Sequence, residues 1–210
     1  MDITNSATAT PAAGSPAAPP PLNLAVIVAS NREGRFAPVV TDWFAARVAE
    51  RDDFTTHVLD LADVDLPTAL SSRPDDAVRA ELAKVSPVLD AADAFVVVTP
   101  EYNHSFPAAL KSLIDWHRAE WQAKPVGFVS YGGISGGLRA VEQLRQVYAE
   151  MHAVTVRDTV SFPFVHSRFD EDGEPVDPTG PEGAAKTLLD QLAWWARALK
   201  DAKAVRPYAG

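Results

Sequence analysis

The sequence contains no cysteine, so disulfide bonds, thiolate nucleophiles and cysteine-ligated metal or iron–sulfur centres are excluded. Basic residues are also few, with 19 Lys and Arg against 28 Asp and Glu and a formal net charge of -9. Because nucleic acid requires a basic surface, this balance argues against a nucleic-acid partner. No apolar run approaches the roughly 20 residues of a membrane-spanning helix. We therefore expect a cytoplasmic protein that has no membrane partner.

Several catalytic motifs are absent as well. The 5 histidines show neither H-E-x-x-H spacing nor another ligand cluster, and no G-x-S-x-G elbow surrounds a serine. The chain has neither a Walker P-loop nor the G-x-G-x-x-G fingerprint of classical dinucleotide-binding folds. These absences disfavour a metal site, a hydrolase and a nucleoside triphosphatase. Redox chemistry would require a bound organic cofactor.

Composition divides the chain into a tail and one domain. Residues 1–21 are mostly Ala, Pro, Thr and Ser and lack both the basic and the apolar region of a secretory signal, so we predict a disordered tail. With 47% hydrophobic and 22% charged residues, the chain has the composition of a globular protein. We predict one domain over residues 22–203 and a flexible C-terminus over residues 204–210.

Apolar runs and helical periodicity alternate five times along this domain. Strands are predicted at Leu22–Ala29, Phe54–Leu61, Ala94–Val98, Lys124–Ser130 and Val154–Val160. Helices are predicted around Val39–Val48 and over Arg73–Ala92, Pro107–Trp116, Leu138–Met151 and Glu182–Ala202. The run at Ala94–Val98 has no polar alternation, which is typical of a strand buried on both faces of a parallel sheet. The pattern predicts an α/β fold whose parallel sheet is covered by helices on both faces.

A polar loop follows the first strand. It contains Ser30, Gly34 and two arginines, Arg32 and Arg35, and it leads into a helix. A hydroxyl, guanidinium groups and the free N–H groups of a helix N-terminus together suit a phosphate group. The alternative is a solvated loop whose arginines form surface ion pairs.

Two further loops follow the third and fourth strands. After the third strand, Tyr102 offers a flat aromatic face and Asn103 an amide, and Ser105 is predicted to cap the next helix. The loop Ser130–Gly137 after the fourth strand holds four glycines, which let a ligand approach the backbone closely. The alternative for the first of these loops is an ordinary connection between a strand and a helix, and for the glycine-rich loop a flexible turn.

The segment Pro100–Trp116 reads P-E-Y-N-x-S-x-P-x-x-L-K-x-x-I-D-W and resembles the central motif of the NADPH-dependent FMN reductase family. These flavodoxin-like enzymes include quinone, azo-dye and chromate reductases. The first loop, Ser-x-Arg-x-Gly-Arg, is similar to the loop that holds the flavin phosphate in that family. The glycine-rich loop, with the Arg139 that follows it, is similar to the loop that lines the flavin.

The resemblance implies a flavodoxin-like three-layer sandwich with a five-stranded parallel sheet in the order 2-1-3-4-5. In that order the first, third and fourth strands are neighbours, so their loops should meet in one crevice at the carboxyl edge of the sheet. The expected FMN-binding residues are Ser30, Arg32, Arg35, Phe36, Pro100, Glu101, Tyr102, Asn103, Ser105, Ser130, Gly132, Gly133, Gly136 and Gly137. No catalytic side chain and no metal are expected, because the flavin carries the chemistry.

The expected function is that of an NAD(P)H-dependent FMN oxidoreductase, with NAD(P)H as co-substrate. Hydride would pass through bound FMN to a quinone, an azo compound, free flavin or a similar small electron acceptor. The alternative is a non-catalytic flavin-binding or flavodoxin-like electron-carrier protein. The helix from Pro107 carries more apolar surface than a sheet covers, which indicates a second partner. The resemblance implies that this partner is another subunit, in a homodimer or homotetramer. The aromatic residues of the loop over residues 161–181 belong either to a lid or to a subunit contact.

Overall fold

The computed structural model describes residues 19–209, so most of the predicted tail, residues 1–18, lies outside it. The strands are β1 (Leu22–Val28), β2 (Phe54–Asp60), β3 (Ala94–Pro100), β4 (Pro125–Tyr131), β5 (Val154–Thr155) and β6 (Val160–Phe162). The helices are α1 (Ala37–Ala49), α2 (Asp76–Ala91), α3 (Ala108–Trp116), α4 (Leu138–Glu150) and α5 (Thr179–Val205). Within the described range, no helix is both long and apolar enough to cross a membrane.

The strands form one parallel sheet in the order β2-β1-β3-β4-β5, which confirms the predicted fold class and strand order. Every residue of β3 and β4 is buried, as their unbroken apolar runs predict. Because β1, β3 and β4 are adjacent and parallel, the segments that follow them leave the sheet side by side. This topology places the three polar loops at one edge.

The fifth strand differs from the prediction. Instead of one strand over Val154–Val160, β5 pairs with the beginning of β4 and the short additional strand β6 pairs with its end. Between them, Arg145 donates hydrogen bonds to the carbonyls of Val156 at 2.6 Å and Arg157 at 2.8 Å. Over this stretch the Arg145 side chain therefore donates hydrogen bonds where a neighbouring strand would. The chain leaves the sheet after β5 and rejoins it at β6.

Two apolar layers flank the sheet. Alternate residues of β1 face opposite sides, so Val26 belongs to the apolar layer formed with α1 and α5, and Ile27 belongs to the layer formed with α2, α3 and α4. The apolar stripes of the helices complete each layer, with Trp43 in one and Trp121 in the other. The result is the predicted three-layer sandwich.

Helix boundaries shift slightly from the predicted ones. Helix α2 begins at Asp76, where the Asp75 carboxylate accepts the N–H of Val78 at 2.9 Å, and it continues through Pro87. Helix α5 extends to Val205, two residues into the segment predicted to be the flexible C-terminus. The division of the chain into one domain and two tails stays a prediction.

Candidate functional site

A cleft of about 770 Å³ lies at the carboxyl edge of the sheet. Its walls include nine of the expected site residues, namely Ser30, Arg32, Arg35, Phe36, Pro100, Glu101, Tyr102, Gly132 and Gly133. The other five, Asn103, Ser105, Ser130, Gly136 and Gly137, do not line it. Six residues absent from the expected set complete the walls, and these are Gly34, Tyr131, Phe164, Val165, His166 and Ser167.

The first loop brings a helix N-terminus to the cleft. It leaves β1 at the fully buried Ser30, turns through Gly34 at φ +64°, and enters α1 at Ala37. Phe36 holds the N-cap position without a capping side chain, and a proline follows in the first turn. The first turn therefore keeps backbone N–H groups for a bound anion, as the sequence pattern suggested.

The two arginines of this loop have different environments. The guanidinium of Arg35 contacts both carboxylate oxygens of Asp60, at the end of β2, at 2.5 Å, and it also donates to the Ser30 carbonyl. The Asp60 hydrogen bond raises the pKa of Arg35 despite the opposing effect of burial. Arg32 is exposed and forms no ion pair with any residue in the range 19–209. Arg35 therefore shapes the loop, and Arg32 is the cation available to a ligand.

Three hydroxyl groups gather beneath the loop. The Ser30 hydroxyl and the Tyr102 hydroxyl share a hydrogen bond of 2.5 Å across 72 residues of sequence. The Tyr131 hydroxyl is buried without a hydrogen-bond partner of normal geometry among the described residues. Burial raises the pKa of Tyr131 well above its usual range, and the nearby Ser30 opposes that shift without cancelling it. Tyr131 therefore keeps its proton and remains a hydrogen-bond donor.

Glu101 turns its carboxylate toward the glycine-rich loop. It accepts hydrogen bonds from the Ser135 hydroxyl at 2.6 Å, from the Arg139 backbone N–H at 3.2 Å and from the Arg139 side chain at 3.0 Å. Burial alone would raise the pKa of Glu101, but the bonds from Ser135 and Arg139 outweigh it, so the pKa lies below its ordinary value. Glu101 thus contributes to the cleft while it ties β3 to the loop.

The glycine-rich loop has two parts with different roles. Gly132 and Gly133 face the cleft, and a side chain built on Gly133 would meet nothing within 4 Å. Gly136 and Gly137 instead pack against the protein at positive φ, and a Cβ at Gly137 would lie 2.7 Å from that of Ser130. The Ser130 hydroxyl donates to the Gly136 carbonyl at 2.8 Å. Ser130, Gly136 and Gly137 therefore set the conformation of the loop without facing the cleft.

The turn after β3 closes on itself. Backbone hydrogen bonds join Tyr102 and Ser105 in both directions, at 2.8 and 3.1 Å, while Asn103 has φ 48°. The prediction that Ser105 caps the next helix is wrong. Its hydroxyl donates to the Gln143 side chain at 2.6 Å, and α3 begins two residues after Phe106, with Pro107 at its N-cap. Asn103 and Ser105 therefore build the turn outside the cleft.

The loop after β6 forms the outer rim. Phe164 is 56% exposed, whereas Phe162 and Phe169, at 2% and 8%, belong to the core around Trp43. His166 packs edge-to-face on Phe36 with the ring centroids 5.1 Å apart. The sequence assigned the aromatic residues of this segment to a lid or a subunit contact, whereas Phe162 and Phe169 belong to the core.

The model of the NADPH-dependent FMN reductase family matches residues 22–167, which include every wall of the cleft. The chain belongs to this family. The prediction of an FMN-dependent oxidoreductase that uses NAD(P)H is thereby confirmed at the level of the family.

Individual relatives agree with this membership. An NAD(P)H-dependent FMN reductase of Schizosaccharomyces pombe is 35% identical over 129 residues, 58% of this chain and 63% of that protein. A protein of Oryza sativa subsp. japonica named "Probable NADPH:quinone oxidoreductase 1" is 35% identical over 148 residues, 68% of this chain and 73% of the other. The match thus spans less than two thirds of the yeast relative and somewhat more of the rice one.

Solved structures show the same fold. The flavoenzyme NAD(P)H:(acceptor) oxidoreductase FerB from Paracoccus denitrificans superposes with a TM-score of 0.66 at 21% identity, over 84% of this chain and 98% of that one. At this identity the likeness concerns the architecture alone.

The residues of the cleft fit FMN. The cation of Arg32 and the uncapped first turn of α1 suit a phosphate, while Gly133 leaves open space beside its backbone. The Tyr131 hydroxyl, buried and without a partner in the cleft wall, is a donor that a polar ligand would satisfy. The cleft volume also lies within the ~300–1,000 Å³ usual for cofactor sites.

Proposed function

We propose that this member of the FMN reductase family holds FMN in the cleft between β1, β3 and β4 and reduces a small electrophile with electrons from NAD(P)H. The observation that carries the proposal is the meeting of three distant loops, Ser30–Phe36, Pro100–Tyr102 and Gly132–Gly133, in one cavity. A quinone, an azo compound or free flavin is the proposed acceptor. The names of the rice and yeast relatives support the quinone and flavin choices.

The phosphate end of FMN is assigned to the first loop. Arg32 would donate to the phosphate directly, and the N-terminus of α1 would add backbone N–H groups and its dipole. Arg35 would hold the loop in shape through Asp60. Ser30 lies on the cleft wall, where its hydroxyl is shared with Tyr102.

The ring end is assigned to the second and third loops. Pro100 and Tyr102 offer apolar and aromatic surface, and the backbone of Gly132–Gly133 is open to close approach. Asn103, Ser105, Ser130, Gly136 and Gly137 remain assigned to FMN binding through the turns they build, and not through contacts in the cleft.

When bound, FMN would supply the two-electron redox chemistry between NAD(P)H and the acceptor. The chain orients the partners and limits the access of water. Glu101 is engaged by Ser135 and Arg139 with a lowered pKa, so it holds the loop in place and is not assigned a proton transfer. No side-chain nucleophile takes part.

Stopped-flow mixing of the FMN-loaded protein with NADPH tests this function. We expect the flavin absorbance to bleach on mixing and to return when a quinone is added. The same experiment with NADH determines the preference between the two dinucleotides. A flavin band that stays unchanged with both dinucleotides would contradict the proposed enzymatic activity and favour the alternative, a non-catalytic electron carrier. The cytoplasmic location and the homodimer or homotetramer stay predictions.

A further inference from the structure

The four aromatic residues between the end of β6 and Phe169 divide into two pairs. Phe162 and Phe169 are buried and contact Trp43, so their rings stabilise the core. Phe164 and His166 line the cleft, and Phe164 exposes 56% of its surface. A large apolar side chain held open to solvent at the mouth of a binding cleft is typical of a ligand contact.

The backbone at Phe164 is also unusual. Its φ of 52° and ψ of 50° lie in the left-handed region, which is rare for an aromatic residue. Hydrogen bonds from the Phe164 N–H to the Gly133 carbonyl at 2.8 Å and from the Val165 N–H to the Gly132 carbonyl at 3.1 Å hold it there. Strained residues that persist in folded proteins cluster at functional sites. The two hydrogen bonds fix the backbone of Phe164 relative to the two glycines of the cleft.

Phe164 belongs to the rim of the cleft. The base is formed by buried residues, Ser30, Pro100 and Tyr131, which lie at the strand ends. When a cofactor occupies the base of the cleft, the rim stays open. A substrate that approaches the cofactor then contacts the residues of the rim. The aromatic face of Phe164 suits a planar ring, since offset or edge-to-face contacts between rings add to simple area burial.

We propose that Phe164 is a stacking platform for the planar ring of the substrate that meets the bound cofactor. Two such rings are available, the nicotinamide of NAD(P)H and a quinone. This inference rests on the proposed function and adds a substrate-contacting residue to it. Phe164 selects for flat acceptors and has no part in holding FMN.

The test compares Phe164→Leu with the wild-type full-length protein, both loaded with FMN. Leucine keeps apolar bulk but removes the flat face. Val176→Ala is the matched control, because Val176 is 68% exposed on the same loop and does not line the cleft. Equilibrium dialysis against the oxidised protein without a reductant measures the binding of 2-methyl-1,4-naphthoquinone, and a second dialysis measures that of NADP+.

We expect Phe164→Leu to weaken binding of at least one of the two ring ligands about three- to ten-fold, and the ligand affected identifies the ring. The affinity for FMN and the molecular mass in sedimentation should not change. Turnover with ferricyanide, which is not a flat ring, should stay within about two-fold of wild type at saturating NAD(P)H, whereas KM for the affected ring substrate rises at constant kcat.

Three results would overturn the inference. Unchanged binding of both ring ligands would show that Phe164 is not a stacking platform. Loss of FMN would make Phe164 a cofactor contact, and a change in mass would make it a subunit contact. A wild-type protein that retains no FMN would instead defeat the proposed function, so the two failures are distinguishable.

Discussion

At the scale of single residues, the two arginines of the first loop show how environment separates similar side chains. Arg35 is held by Asp60 and Arg32 is not held by any described acidic residue. An arginine that is already paired with a carboxylate of the protein contributes less binding free energy to a ligand than an unpaired arginine does. We therefore expect Arg32 to contribute more to FMN affinity and Arg35 more to stability.

Replacing each arginine tests this division. Arg32→Ala should weaken FMN binding by about 1.5–3 kcal/mol, the range for a hydrogen bond to a charged group, and leave the melting temperature unchanged. Arg35→Ala should lower the free energy of unfolding of the apoprotein by about 1–3 kcal/mol, because Asp60 loses its partner. Fluorescence titration with FMN and urea unfolding provide the two measurements. Wild-type FMN affinity in Arg32→Ala would show that the loop is misassigned.

Tyr131 and Tyr148 are buried and have no hydroxyl partner of normal geometry within residues 19–209, so they make a matched pair. Tyr131 lines the cleft, while Tyr148 lies on the opposite face of the sheet between Trp121 and Phe128. Removing either hydroxyl should leave the apoprotein as stable as wild type or more stable, since a buried unpaired group is lost. Only Tyr131→Phe should reduce FMN affinity, by about 1–3 kcal/mol, as measured by titration. Equal affinities of the two variants would exclude Tyr131 from the site.

At the scale of secondary-structure elements, the glycine-rich loop connects β4 to α4 and depends on backbone conformation. Gly137 has φ +86°, and an added Cβ would also lie 2.8 Å from the Tyr131 backbone nitrogen. Gly133 has open space around it. An alanine should therefore destabilise the fold at Gly137 and leave its stability nearly unchanged at Gly133.

Alanine at each position provides the measurement. Gly137→Ala should lower the free energy of unfolding by more than about 2 kcal/mol, through strain and overlap. Gly133→Ala should change it by less than about 0.5 kcal/mol and should act instead on FMN affinity, because the backbone there faces the cleft. Urea unfolding of both variants separates the effects. A stable Gly137→Ala protein would mean that the loop does not need this turn.

Glu101 links the end of β3 to the first turn of α4, and this link should depend on pH. Its pKa is lowered from an ordinary value of 4.5, so the folded state binds fewer protons than the unfolded chain in acid. The stabilisation is complete above the unfolded pKa and is lost as pH falls through the lower folded value. Unfolding of wild type and Glu101→Gln between about pH 3 and 6 should show a weaker pH dependence in the variant. Parallel curves would exclude Glu101 as a contributor.

At the scale of the whole molecule, the sequence predicts the architecture well because unbroken apolar runs such as β3 identify buried parallel strands. The strand order followed from the resemblance and not from periodicity. The positions of Ser30, Pro100 and Gly132 in the cleft followed from the resemblance and from the periodicity together, since each residue comes at the end of a strand or directly after it.

What escaped prediction depends on side chains distant in sequence. Between β5 and β6, Arg145 of α4 donates hydrogen bonds to the backbone carbonyls of Val156 and Arg157, more than ten residues away in sequence. The pairing of Arg35 with Asp60 spans 25 residues, and no local pattern announces it. Tyr131 is predicted only as part of the loop Ser130–Gly137, whereas the structure places it at the end of β4 with a buried hydroxyl.

The binding of FMN to the purified full-length protein tests most directly whether the three loops form one site. Equilibrium dialysis of the flavin-free protein against FMN and riboflavin should give one FMN per chain and markedly weaker binding of riboflavin, which lacks the phosphate that Arg32 and α1 would hold. Failure to bind FMN, or equal affinity for both flavins, would contradict the assignment of the cleft.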